Sequence, residues 1–313
     1  MPLARRFSAR LGPPRTRLAA AGQLRHFRRV KEASFVDAVL VLLGHGTELN
    51  DQSSAPVFQH AAELRRRGLF RAVREAFWKQ APQVQTVLGE VSAPRVFIAP
   101  LFISDGYFAG RIIPAALGFE GSRTIRDAAG TAFYCQPVGT HDHMTAVILA
   151  RAAGVTKHFP FPRAPKPAET TLFIAGHGTE RHSGSRRAIE RQADLIRARN
   201  RYAEVQAVFM EEAPRISESH LLARTKYCVM VPFFVSDGLH VVEDIPRLLG
   251  ESGPVVKARL AAGQPTWRNP TEWHGKLFWY SASVGTEPGL AEVILERVRE
   301  VERDSRPLAS AAG

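Results

Sequence analysis

Residues 171–178 read TLFIAGHG, and this short stretch decides the fold because its ending occurs twice in the chain. The turn Gly176-His177-Gly178-Thr179 closes an apolar run, and the same four residues stand 132 positions earlier as Gly44-His45-Gly46-Thr47. An apolar run that stops at a glycine is typical of a buried strand in a parallel sheet. Each copy is therefore interpreted as the first strand of an α/β unit.

The repeat extends well beyond this turn. The offset of 132 residues also relates Phe77 to Phe209 and Ala81-Pro82 to Ala213-Pro214. It continues without a gap through six further positions, Pro100, Phe102, Ser104, Asp105, Gly106 and Pro114, which correspond to Pro232, Phe234, Ser236, Asp237, Gly238 and Pro246. Later the offset becomes 146, so the second copy contains an insertion of 14 residues near 250–275. One register over such a length indicates a duplicated unit.

Apolar strands and helical stretches alternate within the second copy. The predicted strands are TLFIAGH, VQAVFM, YCVMVPFFVS and KLFWYSASVG, and the predicted helices are SGSRRAIERQADLIRAR, ISESHLLART and PGLAEVILERVREVER. A further helix is expected to begin at Asp244, with Asp244 as N-cap acceptor and Pro246 in the first turn. This alternation predicts two tandem three-layer α/β/α domains with parallel sheets and a cleft between or beside them.

The repeat also predicts the domain boundaries. The first repeat is assigned to residues 34–157 and the second to 171–303. A proline-containing segment without periodicity, 158–170, is interpreted as the linker, and 304–313 as a tail. Because the repeats lie in one chain, we expect a monomer with a pseudo-dimeric arrangement of its two copies.

The formal charge of +12 is concentrated at the start of the chain. Residues 1–31 contain nine Arg or Lys residues and no acidic residue, so nine of the twelve net charges lie there. Such a segment is compatible with a transit peptide, a basic arm or an extension upstream of the true start. Residues 1–33 are predicted to be a disordered, non-catalytic extension, since aromatic residues that would stack on bases do not alternate with the basic ones. We expect no nucleic-acid partner.

Hydropathy and cysteine usage favour a cytoplasmic protein. No apolar run approaches the ~18 residues that would span a bilayer, so no membrane association is expected. The two cysteines, Cys135 and Cys228, stand alone in strand-like segments and lack the close spacing of a zinc or redox pair. They are predicted to be reduced core residues.

Three residues of the second copy form the predicted site. Ligands of open parallel sheets bind beyond the carboxyl ends of the strands, and His177, Glu211 and His240 each follow such an end. Two imidazoles and a carboxylate suit a divalent first-row metal and also provide bases near neutral pH. His177, His240 and Glu211 are therefore predicted to be both metal-binding and catalytic, with Glu212 as the alternative acid.

The first copy serves as an internal control. At the same offset, Lys79 replaces Glu211, Gln80 replaces Glu212 and Phe108 replaces His240, while His45 matches His177. Neither an ammonium group nor a phenyl ring offers a lone pair to a metal. One site per chain is therefore predicted, and whether His45 contributes to it stays open.

The remaining candidates are given structural roles. His141 and His143 are expected in an exposed loop, because an HxH pair without further ligands is a weak metal signal. Ser236, Gly238 and Asp244 are expected to shape the loop and the helix start. Three tryptophans, Trp267, Trp273 and Trp279, are expected in the core or in the cleft wall.

These motifs resemble those of the sirohydrochlorin cobalt- and iron-chelatases, the class II tetrapyrrole chelatases, in their two-repeat form. The similarity lies in GHGT, in FMEEAP, in PFFVSDGLHVVEDIP and in the closing WYSASVGTEPGLAEVILER, within residues 36–300. The resemblance implies insertion of Co²⁺ or Fe²⁺ into sirohydrochlorin on the way to cobalamin or sirohaem. It also implies that His177 and His240 face the metal and the macrocycle, that Glu211 is the carboxylate, and that the metal is a substrate with no prosthetic group present.

Two alternatives stay open at this point. A chelatase-like protein that binds a tetrapyrrole or a metal without turnover would retain the same cleft. A related chelatase for another metal, such as Ni²⁺, or for another macrocycle would present the same residues, because a histidine-carboxylate site accepts several first-row ions.

Overall fold

The computed structural model describes residues 35–47, 51–119, 122–128, 130–178 and 184–305. The predicted extension at 1–33 lies outside the described residues, as do Thr179 and most of the predicted tail. In the part of the chain that is described, no helix is both long enough and apolar enough to cross a membrane.

Within the residues that the structure describes, the first repeat contains five strands and four α-helices. The strands are β1 (Phe35–Gly44), β2 (Phe70–Phe77), β3 (Arg95–Pro100), β4 (Thr124–Asp127) and β5 (Gly130–Tyr134). The helices are α1 (Ala55–Arg67), α2 (Val84–Glu90), α3 (Ile113–Ala116) and α4 (Met144–His158). Two 3₁₀ turns (Asp51–Ser53 and Val138–Thr140) and one π-turn (Phe108–Ile112) complete it.

In its described part, the second repeat follows the same order with one additional helix. After a 3₁₀ turn (Pro167–Glu169), its strands are β6 (Thr170–Gly176), β7 (Glu204–Phe209), β8 (Tyr227–Pro232), β9 (Thr271–Trp273) and β10 (Lys276–Tyr280). Its helices are α5 (Gly184–Arg197), α6 (Ser219–Leu222), α7 (Ile245–Leu248), α8 (Gly253–Ala261) and α9 (Leu290–Ser305). A π-turn (His240–Asp244) and a 3₁₀ turn (Val284–Thr286) match those of the first repeat, and a further 3₁₀ turn (Ile216–Glu218) precedes α6 where the first repeat begins α2. The additional helix, α8, lies in the predicted insertion.

Each repeat forms one five-stranded sheet, in the orders β2-β1-β3-β5-β4 and β7-β6-β8-β10-β9. Four strands of each sheet are parallel, as the apolar patterns predict. The edge strands β4 and β9 pair antiparallel to β5 and β10, which the prediction of wholly parallel sheets did not include. These edge strands are only half-buried or exposed, so they lack the continuous apolar run that revealed the others.

The last helix of each repeat packs on the sheet of the other repeat. Helix α4 contacts β8, β10 and α5, whereas α9 contacts β3, β5 and α1. The helices α1, α4, α5 and α9 therefore fill the layer between the two sheets, and the two repeats are interlocked although they follow one another in the sequence.

Two matched arginines connect the exchanged helices to the turns that follow β5 and β10. Arg151 of α4 donates to the Ser283 carbonyl (2.9 Å) and to Thr286 Oγ1 (2.6 Å). Its counterpart Arg297 of α9 donates to the Pro137 carbonyl (3.1 Å) and to Thr140 Oγ1 (2.6 Å). Because these turns lie at the carboxyl edges of the sheets, the reciprocal contacts bring the two edges into the same interface.

Two predicted strands end earlier than expected. The stretch YCVMVPFFVS forms a strand only to Pro232, and KLFWYSASVG only to Tyr280. The residues beyond these ends form the loops that carry or support the candidate site. Cys135 and Cys228 are buried and unpaired, as predicted.

Candidate functional site at the carboxyl edge of the second sheet

His177 is placed by the turn that follows β6. Gly178 has a φ of 69°, and a Cβ at this position would lie 2.7 Å from Phe209 Cβ and 2.8 Å from Glu212 Cγ. Only glycine fits such a left-handed, crowded position. The tight turn leaves the His177 side chain at the sheet edge, 36% exposed.

Glu211 is brought to His177 by the neighbouring strand. Strand β7 pairs with β6 up to Phe209, and the Glu211 amide then donates to the His177 carbonyl at 3.1 Å. Glu211 Oε1 lies 3.6 Å from His177 Nε2, and the Glu211 side chain is 58% exposed. The carboxylate therefore stands beside the imidazole in open solvent.

His240 reaches the same place from the loop after β8. Its ring centroid lies 5.0 Å from that of His177, with the rings almost perpendicular at 80°. The three predicted site residues are thus brought together at the carboxyl edge of the second sheet. Among the described residues, however, no three His, Cys, Asp or Glu side chains are already arranged to enclose a metal ion. The arrangement is an open cluster, unlike a closed structural metal site.

A π-turn carries His240. This turn, His240–Asp244, is supported from below by Tyr280, whose buried hydroxyl donates to the Val241 carbonyl at 2.7 Å. Burial raises the pKa of Tyr280 well above its ordinary value, so the hydroxyl remains a donor. The first repeat has the same support, since Tyr134 donates to the Ala109 carbonyl at 2.9 Å. The π-turn is therefore a property of the fold, and the side chains on it distinguish the two copies.

Asp244 does not have the predicted capping role. Its side chain makes no capping hydrogen bond to α7, and its Oδ2 instead lies 2.7 Å from His240 Nδ1. The wider π-turn brings positions 240 and 244 side by side, so the carboxylate is drawn to the imidazole instead of the helix start. The sequence did contain a signal for this role, because the matched pair in the first copy is Phe108 and Ile112. The histidine and its carboxylate are absent there together.

The hydrogen bonds define which nitrogen of each histidine is available. His177 Nδ1 lies 2.9 Å from the Gly178 carbonyl, and His240 Nδ1 lies next to the Asp244 carboxylate. Both partners are acceptors, so each neutral ring carries its proton on Nδ1 and its lone pair on Nε2. This is the usual arrangement of a metal-binding histidine whose other nitrogen is fixed by an outer acceptor.

Glu212, the alternative acid, has a different position. It lies under the Gly178 turn, is only 16% exposed and pairs with Arg186 at 2.9 Å. The matched Gln80 occupies the same place and accepts from the Thr47 amide at 3.1 Å. Position 212 therefore supports the turn in both repeats, and Glu211 is the acid that faces His177.

The first copy keeps the geometry but changes the chemistry. His45 Nδ1 lies 2.9 Å from the Gly46 carbonyl, as in the second copy, but the ring packs edge-on against Phe108 with centroids 5.7 Å apart. Lys79 is exposed in the place of Glu211. A histidine in this turn is thus part of the fold, and its partners decide what it can bind.

His141 is not in an exposed loop, contrary to the prediction. It is 7% exposed, and its carbonyl accepts from Gln192 of α5 at 3.0 Å. Burial lowers the pKa of His141, and the nearby Arg297 lowers it further. The loop is covered because α5 and α9 of the second repeat pack over it, an arrangement that local sequence does not reveal. His143 remains exposed, as predicted.

The other predicted structural residues lie near or within the core. Trp267 and Trp279 are buried, and Trp273 packs against the same core cluster as Trp267. Gly238 accepts through its carbonyl from the Val241 and Val242 amides and so helps to shape the loop before the π-turn.

Comparison with known proteins gives a consistent result. The CbiX family model matches the chain twice, at residues 39–155 and 171–301. A probable sirohydrochlorin cobaltochelatase of Halobacterium salinarum is 39% identical over 277 residues, which cover 83% of this chain and 90% of that protein.

Solved structures also match. A multi-domain protein of Deinococcus radiodurans, described as structurally similar to chelatases, matches with a TM-score of 0.67 and 26% identity. The match covers 83% of this chain but only 54% of that protein, so the chain spans about half of its length. SirB of Bacillus subtilis, determined with Fe³⁺, matches 86% of this chain and 97% of its own with a TM-score of 0.62. At 16% identity the latter supports the fold alone.

Proposed function

The chain belongs to the CbiX family, and from this membership we propose that it inserts a divalent metal, Co²⁺ or Fe²⁺, into sirohydrochlorin. The observation that carries the proposal is the cluster of His177, His240 and Glu211, with two Nε2 lone pairs and a carboxylate at one open sheet edge. The relative from Halobacterium salinarum aligns over 277 residues, a length that spans both repeats. Its name, probable sirohydrochlorin cobaltochelatase, supports the choice of reaction and of Co²⁺ as the first metal to test.

The openness of the cluster suits a metal that is a substrate. His177, His240 and Glu211 are 36%, 49% and 58% exposed at their side chains. A metal held by two or three such ligands keeps other coordination positions for incoming donors. The ion is bound from solvent on one face, and its free face is presented to the ring nitrogens of the macrocycle.

Insertion also requires removal of protons. Two pyrrole N–H groups lose their protons as the metal enters the ring, and a carboxylate near the metal is a suitable acceptor. Glu211 has this position, because its Oε1 stands 3.6 Å from His177 Nε2 and faces solvent. Asp244 keeps the His240 proton on Nδ1 and thereby directs Nε2 to the metal.

The test is anaerobic absorbance spectroscopy of metal insertion. Sirohydrochlorin and Co²⁺ or Fe²⁺ are mixed with the wild-type chain, with His240→Ala and with His158→Ala, a control at an exposed histidine near the end of α4. Acceleration over the uncatalysed reaction that His240→Ala removes and His158→Ala keeps is the expected result. Tight binding of macrocycle and metal without any acceleration would overturn the enzymatic proposal in favour of a binding protein.

A further inference from the structure

The two sheet edges differ in charge as well as in ligands. The second-repeat edge carries Glu211 and Asp244 beside its two histidines, and Glu243 lies in the same π-turn as His240. At the matched positions, the first repeat has Lys79 in place of Glu211, Arg111 in place of Glu243, and Ile112 in place of Asp244. The replacements reverse the sign of the charge at two positions and remove it at the third.

The first-repeat edge, consisting of His45, Lys79, Tyr107, Phe108 and Arg111, also exposes aromatic surface. Tyr107 is 51% exposed and Phe108 is 43% exposed. Their ring centroids lie 6.1 Å apart with the ring planes at 72°, and Phe108 in turn packs edge-on against His45 at 5.7 Å. Because the two ring planes are nearly perpendicular, a flat ring system can stack on the face of one ring and pack against the edge of the other.

The cations on this edge are available to a ligand. Lys79 and Arg111 are both exposed, and neither forms an ion pair with any residue that the structure describes. This contrasts with Glu243 of the second repeat, which has Arg247 at 3.6 Å. The Lys79 amide donates to the His45 carbonyl at 2.8 Å, and Arg111 lies in the same π-turn as Phe108. Two cations placed in this way next to aromatic side chains fit a planar anion.

The loop beside the first-repeat edge contacts the start of α5 in the second repeat. The loop with Ser104 and Asp105 leads directly to Tyr107, and a Cβ placed on Gly184 would lie 3.3 Å from Asp105 Oδ1. Gly184 begins α5, the helix that follows the second Gly-His-Gly turn. The loop that leads to the first-repeat edge therefore touches the start of the helix that follows the second Gly-His-Gly turn.

We propose that the first repeat is the macrocycle-binding half of the site. Tyr107 and Phe108 contact the tetrapyrrole, one through its ring face and the other through its ring edge, while Lys79 and Arg111 bind its peripheral carboxylates. The second repeat then binds the metal. This inference rests on the proposed function for the identity of the macrocycle, and it gives the first repeat a role of its own.

The test measures the two ligands separately on the full chain. Metal-free sirohydrochlorin is titrated by absorbance under anaerobic conditions, and Co²⁺ alone is titrated by calorimetry. One double variant carries Lys79→Gln and Arg111→Gln. The control double variant carries Lys157→Gln and Lys257→Gln, and it removes the same charge from exposed lysines of α4 and α8.

The first variant is expected to weaken macrocycle binding about five- to tenfold, since each exposed ion pair contributes little alone. Its remaining affinity should depend less on salt than that of the wild type. Co²⁺ binding should stay within about twofold, and the control should retain both affinities. Phe108→Ala should also weaken macrocycle binding, with Phe108→Leu to separate loss of the aromatic ring from loss of apolar volume.

The inference is overturned if the Lys79→Gln and Arg111→Gln variant binds the macrocycle as tightly as the control variant does. It is also overturned if that variant loses Co²⁺ binding and keeps macrocycle binding. The two proposals fail in different ways. If the wild type binds the macrocycle through these residues without inserting metal, the proposed function fails and the inference stands. If the wild type inserts metal while Lys79→Gln with Arg111→Gln binds the macrocycle normally, the inference fails and the proposed function stands.

Discussion

Asp244 Oδ2 lies 2.7 Å from His240 Nδ1, and this contact connects the π-turn to the proposed metal chemistry. An ionised carboxylate can only accept a hydrogen bond, so it fixes the imidazole proton on Nδ1 and leaves Nε2 free for the metal.

Replacement of Asp244 by Asn should therefore lower the rate of metal insertion about 10- to 100-fold, the range found for outer partners of metal ligands. Stability should change little, since the Asp244 side chain is 37% exposed and caps no helix. Steady-state kinetics and thermal unfolding check this, with Asp194→Asn on α5 as control. The interpretation predicts partial rescue by Asp244→Glu. Equal activity of Asp244→Asn and Asp194→Asn would contradict it.

Glu211 and Glu212 are adjacent and should respond oppositely to the same substitution. Glu211→Gln should lower insertion activity by about 10²-fold or more, because it removes the proposed proton acceptor beside His177. Glu212→Gln should remain active, since the first repeat uses Gln80 at this place in the turn. The lost pairing with Arg186 should lower the free energy of unfolding by no more than about 1 kcal/mol. Urea unfolding and initial rates distinguish the two variants, and the reverse pattern would assign the acid to Glu212.

His60 makes the stability of the fold dependent on pH. It is 1% exposed and its Nε2 lies 2.8 Å from the Gly285 carbonyl, and burial lowers its pKa. The unfolded chain therefore binds a proton at a higher pH than the folded one, and stability falls as pH drops below about 6.5 towards the lowered folded pKa.

The second repeat suggests the matched substitution. Gln192 occupies the position that corresponds to His60 and donates to the His141 carbonyl at 3.0 Å. His60→Gln should thus keep the hydrogen bond across the repeats and remove the titration. Urea unfolding between pH 5 and 7.5 should give a smaller slope for the variant than for the wild type. Some slope should remain, because burial also lowers the pKa of His141 and His220. An unchanged slope would show that His60 is not one of the groups responsible.

The exchange of α4 and α9 predicts the behaviour of an isolated second repeat. A chain of residues 171–305 lacks α4, so the apolar surfaces of β8 and β10 that α4 covers are exposed. Two such chains can exchange their α9 helices, each covering the other's sheet in place of α4. Light scattering after gel filtration should show a dimer or aggregated material. A folded, cooperative monomer would contradict the importance of the exchange.

Sequence patterns predict the strands and helices of this fold better than they predict which elements pack together. The turn glycines, the buried strands and the duplication are local or periodic features, and the structure has them where the 132-residue offset places them. The pattern of α4 and α9 cannot tell which sheet they cover, because an amphipathic face fits either repeat. His141 was misplaced for the same reason, since helices from the other repeat bury it.

The site was predictable in composition but not in detail. Convergence of His177, Glu211 and His240 follows from the rule on strand ends. The choice between Glu211 and Glu212 depends on which side chain lies under the Gly178 turn. The contact of Asp244 with His240 depends on a π-turn, for which the sequence has no local signal. A position-by-position comparison of the two copies would have linked Asp244 to His240, because both are replaced by apolar residues in the first copy.

The exchange of α4 and α9 within one chain also allows the two repeats to carry different side chains at equivalent positions. In a symmetric dimer of identical chains, every substitution appears on both faces, so a cation placed to hold an anionic ring would also appear beside the metal ligands. Here α4 and α9 make an equivalent pairing inside one chain. Each face is encoded separately, and Lys79 and Glu211 can occupy equivalent places in one molecule with opposite charges.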